Sequence, residues 1–431
     1  MELSKVSFLG HVLLLICCFI IFWKYRSSAK TTLNTLAIFS IIFSIYILVT
    51  IAPIQQKNYS KLLEIGNTNN VIIIVMDMFQ GYFVSKYLDD NPEIWTDFEG
   101  FIHFDNAVSA APYTTVSTRY ILTGESPQLS IGPTAVIDQN DNLLVDAINN
   151  GYATSYVSAT VPVSTPALNE YSANINFVEK NKYIKFAYTC AIRYFPKKFM
   201  PTLFSSPLEF GWMSKTNSRD SFLWFSQNLV LQPNVEKSFH YYHNLMTHQP
   251  IRFDSKGVYS RKRSSNDLYG EVEFAMNTLK LLFTRLKKIG KYNDTTIIIL
   301  GDHGYNLFSQ LSKLNFLPLN AQYLLDKIGE KHKGQYEVSL FVKNRNSSGS
   351  MRRVNTAVVL SDLRKTINEI MLPESGLKFK GINILQKELP FRRKVKILSY
   401  TNKRFTDADY QRFDNWKPAE LDLPLSGSID Q

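Results

Sequence analysis

Cysteine is scarce in this chain: three of 431 residues. Cys17 and Cys18 sit side by side in an apolar run, and Cys190 stands alone in the polar remainder, so no disulfide can form within that remainder. An oxidising compartment permits disulfides without requiring them, and a large core holds without them, so the count is compatible with a location outside the cytoplasm. Internal repeats of solenoid length are absent, which excludes the stacked-array folds. Low-complexity segments are absent too. No small-residue cleavage site follows the N-terminal apolar runs, which argues against a removable signal peptide.

Those runs are the first feature present. Val6 to Trp23 is almost unbroken apolar sequence, and Thr32 to Ile54 is a second run interrupted by Asn34 and scattered Ser or Thr. Each has the length that spans a bilayer, and a second run close behind the first argues for retained anchors. Residues 1–54 are therefore expected to form a membrane anchor with spans over about 6–23 and 32–54. The loop between them holds Lys24, Arg26 and Lys30, while the leading segment has only Glu2 and Lys5. The positive-inside rule places that loop in the cytoplasm, and two crossings put everything after Ile54 outside. A C-terminal reporter that works only in the cytoplasm is accordingly expected to be silent in cells.

Net charge is +11, of which the anchor carries +3 (Lys5, Lys24, Arg26 and Lys30 less Glu2), leaving +8 on the rest. Basic clusters occur at Arg261-Lys262-Arg263, Lys287-Lys288 and Arg392-Arg393-Lys394. On a membrane-attached chain such charge suits anionic lipid or glycan rather than nucleic acid. Taken singly, most of these residues read as ordinary solvated surface.

The length allows one large α/β domain plus something small. Residues 55–68 read as a polar linker. Strand signals follow at Val71–Met76, Phe101–Asn106, Thr154–Ser158, Phe239–Tyr242, Thr296–Leu300 and Val338–Val342. Leu268 to Lys288 carries apolar residues at helical spacing, with Gly290 as a stop, and Leu363–Ile370 has a second helical pattern. Strands alternating with helices imply an α/β fold with a mostly parallel central sheet and helices on both faces. Phe391 to Gln431 has aromatic and basic residues but little period; an edge strand with an irregular tail is one reading.

Two motifs far apart carry chemistry. Val71-Ile72-Ile73-Ile74-Val75-Met76-Asp77 is an apolar run that ends in a carboxylate. Thr295-Thr296-Ile297-Ile298-Ile299-Leu300-Gly301-Asp302-His303-Gly304 ends in Asp and His. Both read as parallel strands covered on both faces. Ligands of open α/β sheets bind beyond the carboxyl ends of the strands, so Asp77, Asp302 and His303 would meet in one crevice. Those residue types suit a divalent metal such as zinc or manganese.

A third segment, Ala111-Pro112-Tyr113-Thr114-Thr115-Val116-Ser117-Thr118-Arg119-Tyr120-Ile121-Leu122-Thr123-Gly124, is a hydroxyl-rich turn entering a helix. Helix capping accounts for such hydroxyls; so does a nucleophile placed at a helix N-terminus, where the dipole favours an alkoxide and an approaching anion. A fourth, Phe239 to Pro250, holds three of the chain's seven histidines. His240 reads as a strand residue. His243 and His248 lie at the strand's end, where catalytic groups collect.

The order of these segments resembles the alkaline phosphatase superfamily in its sulfatase-like branch, which includes membrane-bound phosphoethanolamine transferases and lipoteichoic acid synthases. The shared pattern runs over about residues 69–390: a strand ending in an acid, a nucleophile loop into a Leu-Thr-Gly helix, a strand leading to His-x-Pro, and a strand ending in Asp-His-Gly. The resemblance implies that Asp77 is the first metal-binding acid and that Asp302 and His303 are the Asp-His metal pair. Counting back from Leu122-Thr123-Gly124, it places the nucleophile on Thr114, with Thr115 as the neighbouring alternative. Arg119 falls near the sulfatase arginine, displaced by one position. His248 matches the histidine that contacts the transferred group, and His243 a second histidine of that loop.

The departures narrow the chemistry. Sulfatases need Cys or Ser as the precursor of formylglycine, and threonine cannot give that aldehyde. Met78 stands where sulfatases often place a second acid, and Tyr336-Glu337-Val338-Ser339 stands where another basic ligand is common. One full metal site remains, Asp77, Thr114, Asp302 and His303, with a second metal left open. By resemblance this implies a transferase of the inner (cytoplasmic) membrane of bacteria, its catalytic domain periplasmic or extracellular. It would move a phosphoethanolamine or phosphoglycerol head group from a phospholipid donor to an anionic glycan or lipid acceptor. The same site would serve a phosphodiesterase, phosphatase or sulfatase-like hydrolase, and a non-catalytic lipid-sensing relative is the third class.

Overall fold

A computed structural model describes residues 24, 59–125, 137, 140–158, 168–172, 209–260, 267–305, 333–372, 379–386, 392–400 and 416–424. The chain divides into two compact units, Met1–Asn58 with Val178–Ser206, and Tyr59–Phe177 with Pro207–Gln431. The expected membrane spans over 6–23 and 32–54 fall in the first unit and lie outside the described residues. Among the described residues no helix is long and apolar enough to cross a membrane.

In chain order the second unit runs β1 (Glu64–Ile65), β2 (Asn70–Met76), α1 (Gly81–Asp90), α2 (Ile94–Asp97), β3 (Phe101–Val108), α3 (Thr114–Thr123), α4 (Leu143–Asn149), β4 (Ala153–Ser158) and β5 (Asn169–Ser172). It continues with α5 (Glu209–Asn228), β6 (Val230–Leu231), β7 (Ser238–Asn244), α6 (Leu268–Lys288), β8 (Thr295–Gly301), β9 (Glu337–Lys343), β10 (Arg352–Val359), α7 (Leu363–Met371), β11 (Arg392–Tyr400) and β12 (Trp416–Pro424). Eight strands form one sheet in the order β10-β3-β9-β8-β2-β7-β4-β5. Neighbours are parallel except on either side of β9, which runs antiparallel to both β3 and β8.

The central strands explain the sequence signal. Every residue of β2, β7 and β8 is buried, and a strand covered on both faces must be apolar on both. Ile72, Ile74 and Met76 face one layer, packed with Val84 of α1, Phe222 of α5 and Leu279 of α6. Val71, Ile73 and Val75 face the other, packed with Ile121 of α3, Leu144 of α4 and Ile367 of α7. Each of the six strand signals lies within an observed strand, and the two helical patterns coincide with α6 and α7. Gly290, the expected stop, has φ +69 just beyond α6.

Three features were not foreseen. The reversed direction of β9 leaves no trace in hydrophobic period, because alternation is the same read either way. The eighth sheet partner, β10, begins with the exposed or half-buried residues Arg352 to Asn355, and its apolar run is confined to the short stretch from Ala357 to Val359. Among its described residues the C-terminal stretch supplies no edge to the main sheet: β11 pairs antiparallel with β12 instead. That pair braces the turn ahead of α3, since Leu398 N–H donates to Ala110 O at 2.9 Å and Tyr336 O–H donates to Leu398 O at 2.6 Å.

At the β10 edge Arg353 donates to Asp105 from Nε (3.1 Å) and Nη2 (2.7 Å) and also meets Asp89 of α1. His103 Nδ1 lies 3.2 Å from Asp105 on the other side. Burial pushes the Asp105 carboxyl up, but His103 and Arg353 outweigh it and hold the group well below its ordinary range. A carboxylate with a depressed folded value stabilises above its unfolded value, and that stability is lost as pH falls toward the folded one. Asp105→Asn should therefore cost about 1–3 kcal/mol at pH 7, with the gap to the parent shrinking below about pH 4. Urea unfolding at pH 7 and pH 3 measures both; a cost unchanged by pH would contradict it.

Candidate active site

The register of the central strands assembles the site. Met76 pairs with Gly301 across β2 and β8, so Asp77 and Asp302 leave adjacent strands side by side. Val75 pairs with His243 across β2 and β7, so the same alternation that buries Val75 turns His243 to the face of Asp77. The turn from Ser109 to Tyr113 then delivers the N-terminus of α3, and with it Thr114, to that end of the sheet.

Backbone packing fixes the acids tightly. A Cβ on Gly304 would lie 2.1 Å from Gly334 O and 2.5 Å from Glu337 O, so only glycine lets the chain pass there after His303. Met78 holds φ +62, a left-handed conformation uncommon without a functional reason. In that conformation its N–H donates to Asp302 Oδ1 at 3.1 Å. Asp302 Oδ2 is left with no hydrogen bond, as are Asp77 Oδ1 and His243 Nε2, although all three atoms are buried.

Thr114 Oγ1 sits among these groups, 3.3 Å from Asp77 Oδ2 and 3.1 Å from His303 Nε2. Its single proton serves one of them at a time. His303 Nδ1 donates to Gly304 O at 2.9 Å, which fixes the tautomer and leaves Nε2 with a lone pair aimed inward. Nε2 is 3.8 Å from both Asp77 Oδ1 and Asp302 Oδ2. His243 Nε2 is 3.4 Å from Asp77 Oδ2 and 3.9 Å from Asp302 Oδ2.

Burial alone would raise the Asp77 carboxyl, but His248 and the contact with His243 outweigh it and hold the group well below the ordinary carboxylate range. The converse holds for His243: burial lowers it, and Asp77 with Asp302 more than reverse that, so its imidazole stays charged to higher pH than usual.

One ligand atom each from Asp77, Asp302 and His303 lies within 4.8 Å of the others, so these residues could hold a metal ion. The donor set fits a divalent cation. Two buried carboxylates and a lone-pair nitrogen converge, their inward oxygens have no protein donor, and unpaired buried charge is costly.

The structure thus brings together Asp77, Thr114, Asp302, His303 and His243. His248 lies half-buried at the rim. Thr115 makes no hydrogen bond to Asp77, Asp302 or His303. Arg119 Nη2 meets Glu125 Oε2 at 3.4 Å, just past the far end of α3.

Several supporting residues went unnoticed in the sequence. Ser109 Oγ and Ser117 Oγ lie 2.6 and 2.5 Å from the carbonyl oxygen of Asp302 and 2.9 Å from each other, tying that acid to α3. Thr247 Oγ1 donates to Asp77 O at 2.7 Å and does the same for the other acid. Only Ser117 carried a signal, since it lies one helical turn after Thr114.

Residues 69–371 match the family model described as Sulfatase. The chain belongs to the sulfatase family. It is an enzyme of the alkaline phosphatase superfamily, whose members use a divalent metal. Its fold is similar to that of Ps i-CgsB, solved in complex with k-i-k-neocarrahexaose, at 15% identity over 78% of this chain and 80% of that one, with a TM-score of 0.51. The Bacteroides thetaiotaomicron protein BT33494S-sulf gives 12% identity, 82% and 84% coverage and a TM-score of 0.50. The lipoteichoic acid synthase LtaP of Listeria monocytogenes gives 12% identity, 74% and 76% coverage and a TM-score of 0.42. At such identities the likeness is one of fold. Comparison with curated proteins returns no match. Within this sulfatase-family site, the residue beside the acids and His303 is a threonine.

Proposed function

We propose that this sulfatase-family enzyme is a membrane-anchored phosphotransferase. It would move a phosphoethanolamine or phosphoglycerol head group from a phospholipid to a hydroxyl of a cell-envelope glycan or lipid. The observation that carries this reading is the Thr114 hydroxyl at the N-terminus of α3, 3.3 Å from Asp77 and 3.1 Å from His303. Oxidation of threonine would give a ketone, not the formylglycine aldehyde of sulfatases, so sulfate-ester hydrolysis by that route is disfavoured.

Asp77, Asp302 and His303 would hold a zinc or manganese ion, with Thr114 Oγ1 beside it; a bound ion lowers the hydroxyl's pKa and offsets charge on the transferring oxygens. The Thr114 hydroxyl gives its proton to solvent and Oγ1 attacks phosphorus; the Oγ1–P bond forms and the P–O bond to the diacylglycerol breaks. The departing glycerol oxygen takes up a proton. An acceptor hydroxyl then attacks the same phosphorus, gives up its proton and releases Thr114. The helix N-terminus favours the incoming phosphate. His248 contacts the oxygens of the transferred group or protonates the leaving oxygen, and His243 holds Asp77 and Asp302.

The apolar runs over 6–23 and 32–54 support a site held at the outer face of the cytoplasmic membrane. There the anchor raises the effective concentration of a lipid donor. The test uses the full chain in vesicles of phosphatidylethanolamine or phosphatidylglycerol with zinc or manganese. Diacylglycerol release together with a head-group adduct on Thr114, read by peptide mass spectrometry, supports the reading. Free head group as the sole product, in the presence of candidate acceptors, would make the enzyme a hydrolase. Neither adduct nor lipid turnover in folded, metal-bound protein would overturn it.

A further inference from the structure

Beneath the His248 loop lies a buried ion pair that the chemistry above does not use. Lys215 of α5 and Glu271 of α6 are 3% and 0% exposed, and Lys215 Nζ meets Glu271 Oε1 at 2.6 Å. Two buried charges are costly to desolvate, and a pair of hydrophobic side chains would often serve stability as well or better. The contacts of this pair suggest what it is for.

Lys215 has three N–H donors, and each has a partner. One goes to Glu271 Oε1; the other two go to His248 O at 2.6 Å and Pro250 O at 2.9 Å. Glu271 Oε1 also accepts from Arg252 N–H at 2.9 Å and Phe253 N–H at 3.0 Å. One ion pair therefore fixes four main-chain groups within the six residues from His248 to Phe253. From the opposite side Thr247 Oγ1 holds Asp77 O at 2.7 Å, and Gln249 N–H approaches Met78 Sδ at 3.5 Å. The loop is thus stretched between the acid of the site and a charged anchor supplied by two helices.

We propose that Lys215 and Glu271 are positioning residues that hold His248 over the reacting group. The proposal rests on the role given to His248 in the transfer reaction. His248 is half-buried, and among the described residues its side chain donates a hydrogen bond to the backbone of its neighbour, Gln249 O. Its placement depends on where the backbone carries it, and the backbone there is pinned by charge. A displacement of about 1 Å in a contacting group costs about 10²-fold in rate, so loosening this anchor acts on catalysis more than on binding.

The test is a mutant cycle in the full chain. Lys215→Met with Glu271→Gln removes both charges together, leaving no unpaired buried ion. The glutamine carbonyl can still accept from Arg252 and Phe253, while the donors to His248 O and Pro250 O are gone. The expected result is a kcat lower by about 10- to 100-fold, KM changed by less than about 3-fold, and faster amide exchange confined to residues 248–253. In a His248→Ala background the same double change should cost less than about 3-fold, because residues acting as a unit are not additive.

Equal cost in both backgrounds would make the pair merely structural and overturn the proposal. So would unchanged kcat in the His248 background while His248→Ala alone is impaired; that result leaves the role of His248 standing. If His248→Ala alone keeps full turnover, the role given to His248 fails and the positioning role fails with it. Should the double variant fail to fold, Lys215→Gln with Glu271→Gln gives the same cycle, since it too leaves no buried ion and keeps a carbonyl acceptor at residue 271.

Discussion

Thr114→Ala should lower head-group transfer by about 10³-fold or more, the scale on which nucleophile removal acts, whereas Thr115→Ala should stay within about tenfold of the parent. The difference follows from geometry. Thr114 Oγ1 is within hydrogen-bond reach of both Asp77 and His303. Thr115 is the next residue on the helix, about 100° further round, and turns away from them. Thr114→Ser keeps a hydroxyl at the same Cβ, so it should keep measurable transfer and form the covalent adduct on the serine. It loses the methyl that restricts rotation about χ1, so a reduced rate is expected. Initial rates with fluorescent phospholipid, together with the adduct site by mass spectrometry, measure all three variants. Full activity in Thr114→Ala would refute the nucleophile assignment, and loss in Thr115→Ala alone would move it by one residue.

The positions of the acids were legible because a parallel strand ends where its apolar run ends. Val71 to Met76 and Ile297 to Gly301 are buried on both faces, so Asp77 and Asp302 had to emerge beyond them, and neighbouring strands placed them together. What was not legible depends on pairing rather than pattern. His243 is legible as a group at the strand's end, but its contact with both acids depends on β7 pairing with β2 in one particular register, and a lone strand cannot state its register. Ser109 and Ser117 tie Asp302 to α3 across a gap of more than 180 residues, with nothing local to announce it. Lys215 and Glu271 have no local sequence signal, and they meet only where α5 and α6 pack beneath the His248 loop. The reversed β9 and the β11–β12 pair escaped for the same reason: both are facts of topology, and alternation has no direction.

The second large effect is expected at Asp302. Its side chain is fully buried, its Oδ1 is taken by Met78 N–H, and its Oδ2 faces Asp77 and His303 with no donor. Asp302→Asn preserves the shape and leaves Met78 an acceptor, but removes one of two negative charges from the site. Residues that merely support a metal ligand cost 10- to 100-fold in affinity when lost, so loss of this ligand should cost at least about 100-fold for zinc or manganese. Stability should move the other way in the metal-free protein. With no cation present, Asp77 and Asp302 repel across a buried gap that His243 and His303 only partly offset, and the asparagine relieves that repulsion. The metal-free Asp302→Asn protein should thus melt at or above the temperature of the metal-free parent. The parent should gain several degrees on adding metal and the variant almost none, because binding stabilises the folded state in proportion to affinity. Calorimetric titration and melting curves with and without chelator measure both effects without recourse to activity. A variant that keeps the parent's metal-induced shift would show that the ion, wherever it binds, is not held by Asp302.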